Sequence, residues 1–304
     1  MTQRSIVLLG GPDSGKTNYL GRLWPSFKKR KGVLRAERLP DNIAYVDRAV
    51  EHLMRGSFAP RSDRNLEVGR VDFSITVRGA NGEGAQTELM VPDISGELWT
   101  RTVATFEIPQ EWLDVLNQAA GAIVFVRALS DQNVKPLDWV AARNILRLDA
   151  DKPVQPQQPL PAEEAQGAIA LPFEPDLPTQ VLLCELLRYL DLNLMDRIDG
   201  ARPRVSVIVA AYDLLDSQIR AGGPMAYLKR EFPLFAGRLA DTGRLELKLF
   251  GLSVVGGDLK DDDAFRSQFL DRDITEQGWV VVEDRNGLRT DQDVTLPIAW
   301  AMGD

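Results

Sequence analysis

The chain has 304 residues, 44% of them hydrophobic, enough to bury a full core and to exclude global disorder. A net charge of −8 argues against a protein that holds nucleic acid on an overall basic surface, so no direct nucleic-acid binding is indicated. One cysteine, Cys184, rules out an intramolecular disulfide, and with the single histidine, His52, it leaves zinc sites and Ser-His or Cys-His hydrolysis with too few residues. Chemistry must then come from carboxylates, Lys, Arg, hydroxyls, backbone amides or a bound Mg²⁺. No apolar run approaches the roughly 20 residues that span a bilayer, and no secretory signal opens the chain, so a cytoplasmic protein without an integral membrane segment is expected.

The first predicted strand, Ser5–Leu9, runs into "GGPDSGKT" and then a helix-period stretch, Lys16–Leu23. A strand that ends in a glycine-rich loop and opens a helix aims backbone N–H groups and the positive helix end at an anion. Gly10 and Gly15 allow backbone conformations and close approach that a Cβ would hinder. Lys16 reaches β- and γ-phosphates, and the Thr17 hydroxyl suits the oxygen shell of Mg²⁺. This spacing in this context predicts nucleoside triphosphate binding by Gly10, Pro12, Asp13, Ser14, Gly15, Lys16, Thr17 and Asn18. The basic run Lys28–Lys31 reads as a solvated helix end.

A helix over Ile43–Met54 and the loop "SFAPRSD" lead to an alternating strand, Val71–Val77. The next strand, Glu88–Val91, stops before "DISGE". Asp93, at a strand's C-terminal end, can hold a water of the Mg²⁺ shell, and Gly96 can offer its N–H to a γ-phosphate. A segment held that way is released on hydrolysis and forms a switch. Helices over Glu97–Thr105 and Gln110–Ala119 precede "AIVFV" (Ala122–Val126). That run and "VSVIVA" (Val205–Ala210) are apolar at nearly every position, as suits central parallel strands buried on both faces. Between them lie a helix-period stretch, Pro136–Leu148, a Pro-rich insertion loop over residues 151–178, and a helix over Thr179–Leu192 with Cys184 on its apolar side. A helix over Pro224–Leu239 and a strand over Leu245–Leu252 follow. A C-terminal extension over residues 258–304 holds a strand and turn in "GWVVVEDRNGL" and a closing helix in "VTLPIAWAM". Strands alternating with helices predict an α/β fold: one P-loop NTPase domain over residues 1–304, a three-layer α/β/α sandwich around a mostly parallel sheet.

With Gly10–Thr17 followed by Asp93–Gly96, the chain resembles the translation-factor-related class of P-loop GTPases, the group that includes Ras-like proteins, over about Ser5 to Gly256 by element order. Within that class it is similar to the bacterial double-GTPase-type domains of multi-gene conflict systems, on "HLMRGSFAPRSD", "DISGE" and the late "DVTLPIAW". The resemblance implies GTP/GDP and Mg²⁺ as cofactors, Mg²⁺-dependent hydrolysis that is slow without a partner, and a protein effector or paired GTPase as that partner. It also implies a switch hydroxyl before the second strand. Ser62 holds that position, where a plain loop serine would also stand. Thr17, Asp93 and Ser62 are then the metal ligands, and Lys16, Gly96 and Glu97 the catalytic set. Glu97 stands where the class often has a water-orienting Gln; an anionic side chain can hold water but repels a γ-phosphate.

Guanine-selective members carry N/T-K-x-D after a late central strand. Here the register gives Ala210-Ala211-Tyr212-Asp213. The Asp that would accept from guanine N1–H and the exocyclic amine is present; the Lys whose stem covers the base is not. Asp213 also reads as the N-cap of the helix-like "DLLDSQI". Ser253 and Val254 in "LSVVGGD" fit a base-contacting loop, and equally a strand ending in a glycine turn. Two further functions fit the motifs: a nucleotide-binding interaction module with little turnover, and an ATPase or nucleotide-dependent kinase. No adjacent acidic pair follows "LMVP" to support the last.

Overall fold

A computed structural model describes residues 2–11, 13–38, 44–59, 72–79, 87–92, 96–105, 107–136, 177–197, 200–285 and 287–303. The chain opens with β1 (Thr2–Leu9), α1 (Lys16–Lys28), β2 (Leu34–Ala36), α2 (Ala44–Met54), β3 (Asp72–Gly79) and β4 (Thr87–Pro92). It continues through α3 (Gly96–Thr105), α4 (Gln110–Gln118), β5 (Ala119–Arg127), α5 (Thr179–Asn193), β6 (Arg204–Ala210), α6 (Ser217–Glu231) and α7 (Pro233–Ala240). It closes with β7 (Glu246–Ser253), α8 (Asp263–Leu270), β8 (Trp279–Asp284), β9 (Gly287–Asp291) and α9 (Leu296–Met302).

Among the described residues the strands form one nine-stranded sheet in the order β2-β3-β4-β1-β5-β6-β7-β8-β9. The run from β4 to β7 is parallel, and antiparallel strands extend it at both edges. Side chains alternate across a strand, and this alternation splits the interior in two. Val7, Leu9, Val124, Val126, Val207 and Val209 face one layer, packed with Trp99 of α3, Leu116 of α4, Leu186 and Leu190 of α5 and Tyr227 of α6. Ile6, Leu8, Ile123, Phe125 and Ile208 face the other, packed with Leu20 and Leu23 of α1 and Ile298 and Met302 of α9. The result is the expected α/β/α sandwich around a mostly parallel sheet.

The "DVTLPIAW" stretch has a physical role here. Asp293 Oδ1 accepts from the Thr295 N–H (2.8 Å) and hydroxyl (2.6 Å), and Oδ2 accepts from the Val33 N–H (2.7 Å). The buried Tyr19 hydroxyl of α1 donates to the Val294 carbonyl at 3.0 Å, and the buried Ser206 hydroxyl of β6 donates to the Pro297 carbonyl at 2.7 Å. Helix α9 is thereby seated on β1, β5 and β6 beside α1.

The expected helix over Pro224–Leu239 is two helices. Pro233 lacks an N–H, so it cannot continue α6 and instead starts α7 at its first turn. Strand β2 carries no sequence signal, being three residues at an edge. The expected helix Pro136–Leu148 beyond Pro136 itself, most of the Pro-rich insertion, and Pro12, Ser62 and Asp93 lie outside the described residues.

Candidate functional site

The glycine loop joins β1 to α1 as the motif requires. At Gly10 (φ 153°) an added Cβ would stand 2.8 Å from the Phe125 carbonyl oxygen and 2.8 Å from Ser14 Oγ, so only glycine fits against β5. Gly15 is the N-cap of α1 in the left-handed region (φ 93°, ψ 5°), with no side chain capping the helix. That leaves the first turn's N–H groups aimed at the loop's mouth, which is the arrangement that attracts an anion. The Lys16 ammonium folds back over the loop, donating to the Gly10 carbonyl (2.8 Å), the Gly11 carbonyl (3.2 Å) and Ser14 Oγ (3.0 Å). Thr17 stands in the same first turn. Asn18 Oδ1 accepts from the Ala59 N–H at 2.9 Å, which pins the segment after α2 beside the loop.

A second loop system meets this one. After β6, Ala211 turns left-handed (φ 54°), and Tyr212 begins a short 3-10 turn, Tyr212–Leu214. The fully buried Tyr212 ring lies on Gly251 of β7, where an added Cβ would stand 2.7 Å from ring carbons. Anchored by that ring, the turn sends Asp213 toward the end of β7, where the buried Ser253 hydroxyl donates to its carboxylate. Burial pushes the Asp213 carboxyl above its ordinary range and the charge of Asp258 adds to the rise, while hydrogen bonds from Ser253 and from its own backbone N–H oppose it. The N-cap of α6 is Asp216, which accepts from the Ile219 N–H at 2.8 Å. Asp213 is therefore not spent on capping that helix. Ser253 Oγ also accepts from the Gly256 N–H at 2.8 Å, bending the chain into the turn that presents Val254.

The two systems share one cleft of about 230 Å³. Ser14, Gly15 and Asn18 line its phosphate-loop end, and Asp213, Val254 and Asp258 its other end. Ala210 packs close to Gly15, 3.6 Å from where a Cβ there would lie, which favours a small residue at this point of the "AAYD" stretch. The structure thus brings Ser14, Gly15, Asn18, Asp213 and Val254 to one cavity, with Ser253 bonded beneath it. Gly96 opens α3, just beyond β4, and β4 pairs with β1. Glu97 lies in the first turn of that helix.

Sequence reasoning passed over Phe58, Arg127, Leu214 and Lys260, which also line the cleft. Of these, Arg127 had a signal, the charge that ends the apolar run of β5. Lys260 did not, because its placement depends on a fold-back. Its N–H donates to Asp258 Oδ1 at 2.7 Å, and its neighbour Leu259 is buried with Leu53, Val255 and Phe269. Cys184 is partly buried against the core, and burial pushes its thiol up to about 11, as befits a packing residue. Lys29 pairs with Asp273, and Lys31 stands 3.7 Å from Glu276, so the basic run lies along the segment before β8. Among the described residues no helix is long and apolar enough to cross a membrane.

A comparison with curated proteins gives no match. One similar solved structure is that of the Roco2 RocCORdC protein of Methanosarcina barkeri bound to GDP, at 10% identity and a TM-score of 0.27. The similarity covers 89% of this chain and 48% of that one, so the chain spans about half its length. The comparison with protein families is broader in reach: residues 7–301, from inside β1 to inside α9, match Double-GTPase 1, taking in the glycine loop, the Asp213 turn and the helix that closes the sheet. The chain belongs to the Double-GTPase 1 family.

Proposed function

We propose that this chain binds GTP with Mg²⁺ and hydrolyses it, acting as a nucleotide-controlled switch within a bacterial multi-protein system, of the conflict or defence kind. The observation that carries the reading is the single cleft linking the helix N-terminus at Gly15 to the Asp213–Ser253 pair. One end opens on the glycine loop at Ser14, Gly15 and Asn18, and the other carries the Asp213 carboxylate, which supports a phosphate end and a base end. Membership of a GTPase family supports guanine as the base.

In this reading the loop N–H groups and Lys16 bind the phosphates. Thr17, Asp93 and Ser62 would hold Mg²⁺, which would supply positive charge to balance the phosphates. Gly96 donates to the γ-phosphate, and Glu97 orients water. Asp213 accepts from guanine N1–H and the exocyclic amine, and Ser253 and Val254 support it. Phe58 and Lys260, on the cleft's other segments, supply the cover over the base that the missing motif lysine does not.

Identifying the nucleotide retained by the purified protein, then titrating GTP and ATP with and without Mg²⁺, tests the reading. GTP is expected to bind at least tenfold more tightly than ATP; equal affinities would remove the guanine assignment. Glu97 motivates a second reading, a binding module with little turnover. Single-turnover hydrolysis abolished by Lys16→Ala would exclude it.

A further inference from the structure

The phosphate loop carries a carboxylate of its own. Asp13 sits at the loop's crest with left-handed backbone (φ 58°), its side chain almost half exposed. A negative charge there opposes the purpose of such a loop, because every ligand phosphate would stand within a Debye length of it.

The answer comes from the end of β5. Arg127 Nη1 donates to Asp13 Oδ1 at 2.9 Å and approaches the Asp13 carbonyl at 3.3 Å, and the Ser130 hydroxyl reaches Oδ2 at 3.4 Å. The turn that carries both donors is fixed from behind. Leu129 is left-handed (φ 52°), its N–H donates to the Tyr227 hydroxyl at 3.3 Å, and Asn133 Nδ2 donates to the Arg127 carbonyl at 3.1 Å. Exposed ion pairs as such contribute little to stability. This one joins residues 114 apart in sequence, holds the loop's backbone as well as its carboxylate, and its arginine lines the cleft.

Resting on the nucleotide reading above, we infer that Arg127 is a positioning residue of the phosphate loop. It neutralises Asp13 and keeps that carboxylate turned toward β5, so the loop accepts a polyphosphate despite the acid within it. Arg127 then matters to affinity only while residue 13 is charged.

The test is a double-variant cycle on the full chain, titrated with fluorescently labelled GDP and a non-hydrolysable GTP analogue. Arg127→Gln is expected to weaken binding about tenfold, more for the triphosphate than the diphosphate. The loss should shrink in about 0.5 M salt, where screening shortens the reach of the bare carboxylate. Asp13→Asn in the Arg127→Gln background is expected to restore affinity to within about threefold of wild type, as is Arg127→Lys alone, which keeps the charge and covers the case in which Arg127→Gln does not fold. A double variant as weak as Arg127→Gln, a loss indifferent to salt, or an Arg127→Lys protein that loses affinity tenfold would overturn the inference. A wild-type protein that binds neither probe removes the nucleotide reading itself; wild-type binding without rescue overturns only the role of Arg127.

Discussion

In the proposed function Lys16 and Asp213 carry different halves of the chemistry, and each supports a separate expectation. Lys16→Ala removes charge-assisted hydrogen bonds to phosphate and should weaken triphosphate binding about 100-fold, measured by direct titration. Asp213→Asn should lower the ratio of GTP to ATP affinity by roughly tenfold or more, since an amide cannot accept both guanine donors. Its effect on stability runs the other way. A carboxyl whose pKa is raised in the folded state costs stability while ionised, and that cost disappears as pH falls through the folded value. Asp213→Asn is therefore expected to melt at a higher temperature than wild type at neutral pH, with the gain fading on acidification. The same shift predicts that guanine preference is lost on acidification before an exposed aspartate would titrate. The sequence displayed Lys16 plainly, because its motif is contiguous. It displayed Asp213 beside a rival reading as a helix N-cap, and the structure gives the cap of α6 to Asp216. Phe58 and Lys260 were illegible for a plain reason: their side chains meet the cleft through loops whose course depends on distant packing.

Helix α1 is the element on which the site turns, and its far side is as informative as its first turn. Arg22 is buried at 1% exposure, yet its guanidinium faces backbone oxygens: the Gln277 carbonyl (3.0 and 2.5 Å), the Thr275 carbonyl (3.2 Å) and, closer still, the Ser26 hydroxyl. Burial lowers its pKa to about 10, against the raising effect of Asp273 and Asp293, so it remains a cation at neutral pH. The next residue, Gly278, lies against the Val254 carbonyl, so one arginine braces the phosphate-loop helix against the loop at the cleft's other end. Arg22→Met should cost about 3 kcal/mol in denaturant unfolding by leaving buried carbonyls without donors. Arg22→Lys should recover only part of this, because an ammonium cannot span the same acceptors. From sequence, Arg22 is a polar residue in a helix of ordinary periodicity. Its burial follows from a segment some 250 residues downstream, which no local pattern reports.

At the scale of the molecule, the order of strands and helices was largely legible, because alternating apolar runs and helix periods fix a parallel α/β core. What lay beyond local pattern was how the chain finishes the sheet: β8 and β9 extend it antiparallel, and α9 covers the face shared with α1. Ile298 is fully buried in that cover, so Ile298→Asp should destabilise the fold by about 4 kcal/mol or more, read as loss of the cooperative melt. The tie from Tyr19 to Val294 spans 275 residues and that from Arg22 to Gln277 spans 255. During synthesis, the helix behind the glycine loop leaves the ribosome 255 and 275 residues ahead of the acceptors of Arg22 and Tyr19. At roughly 5–20 residues per second that lead is on the order of tens of seconds. Contacts of such separation also close slowly. A nascent chain thus displays the whole glycine motif well before the segments that brace the helix behind it exist.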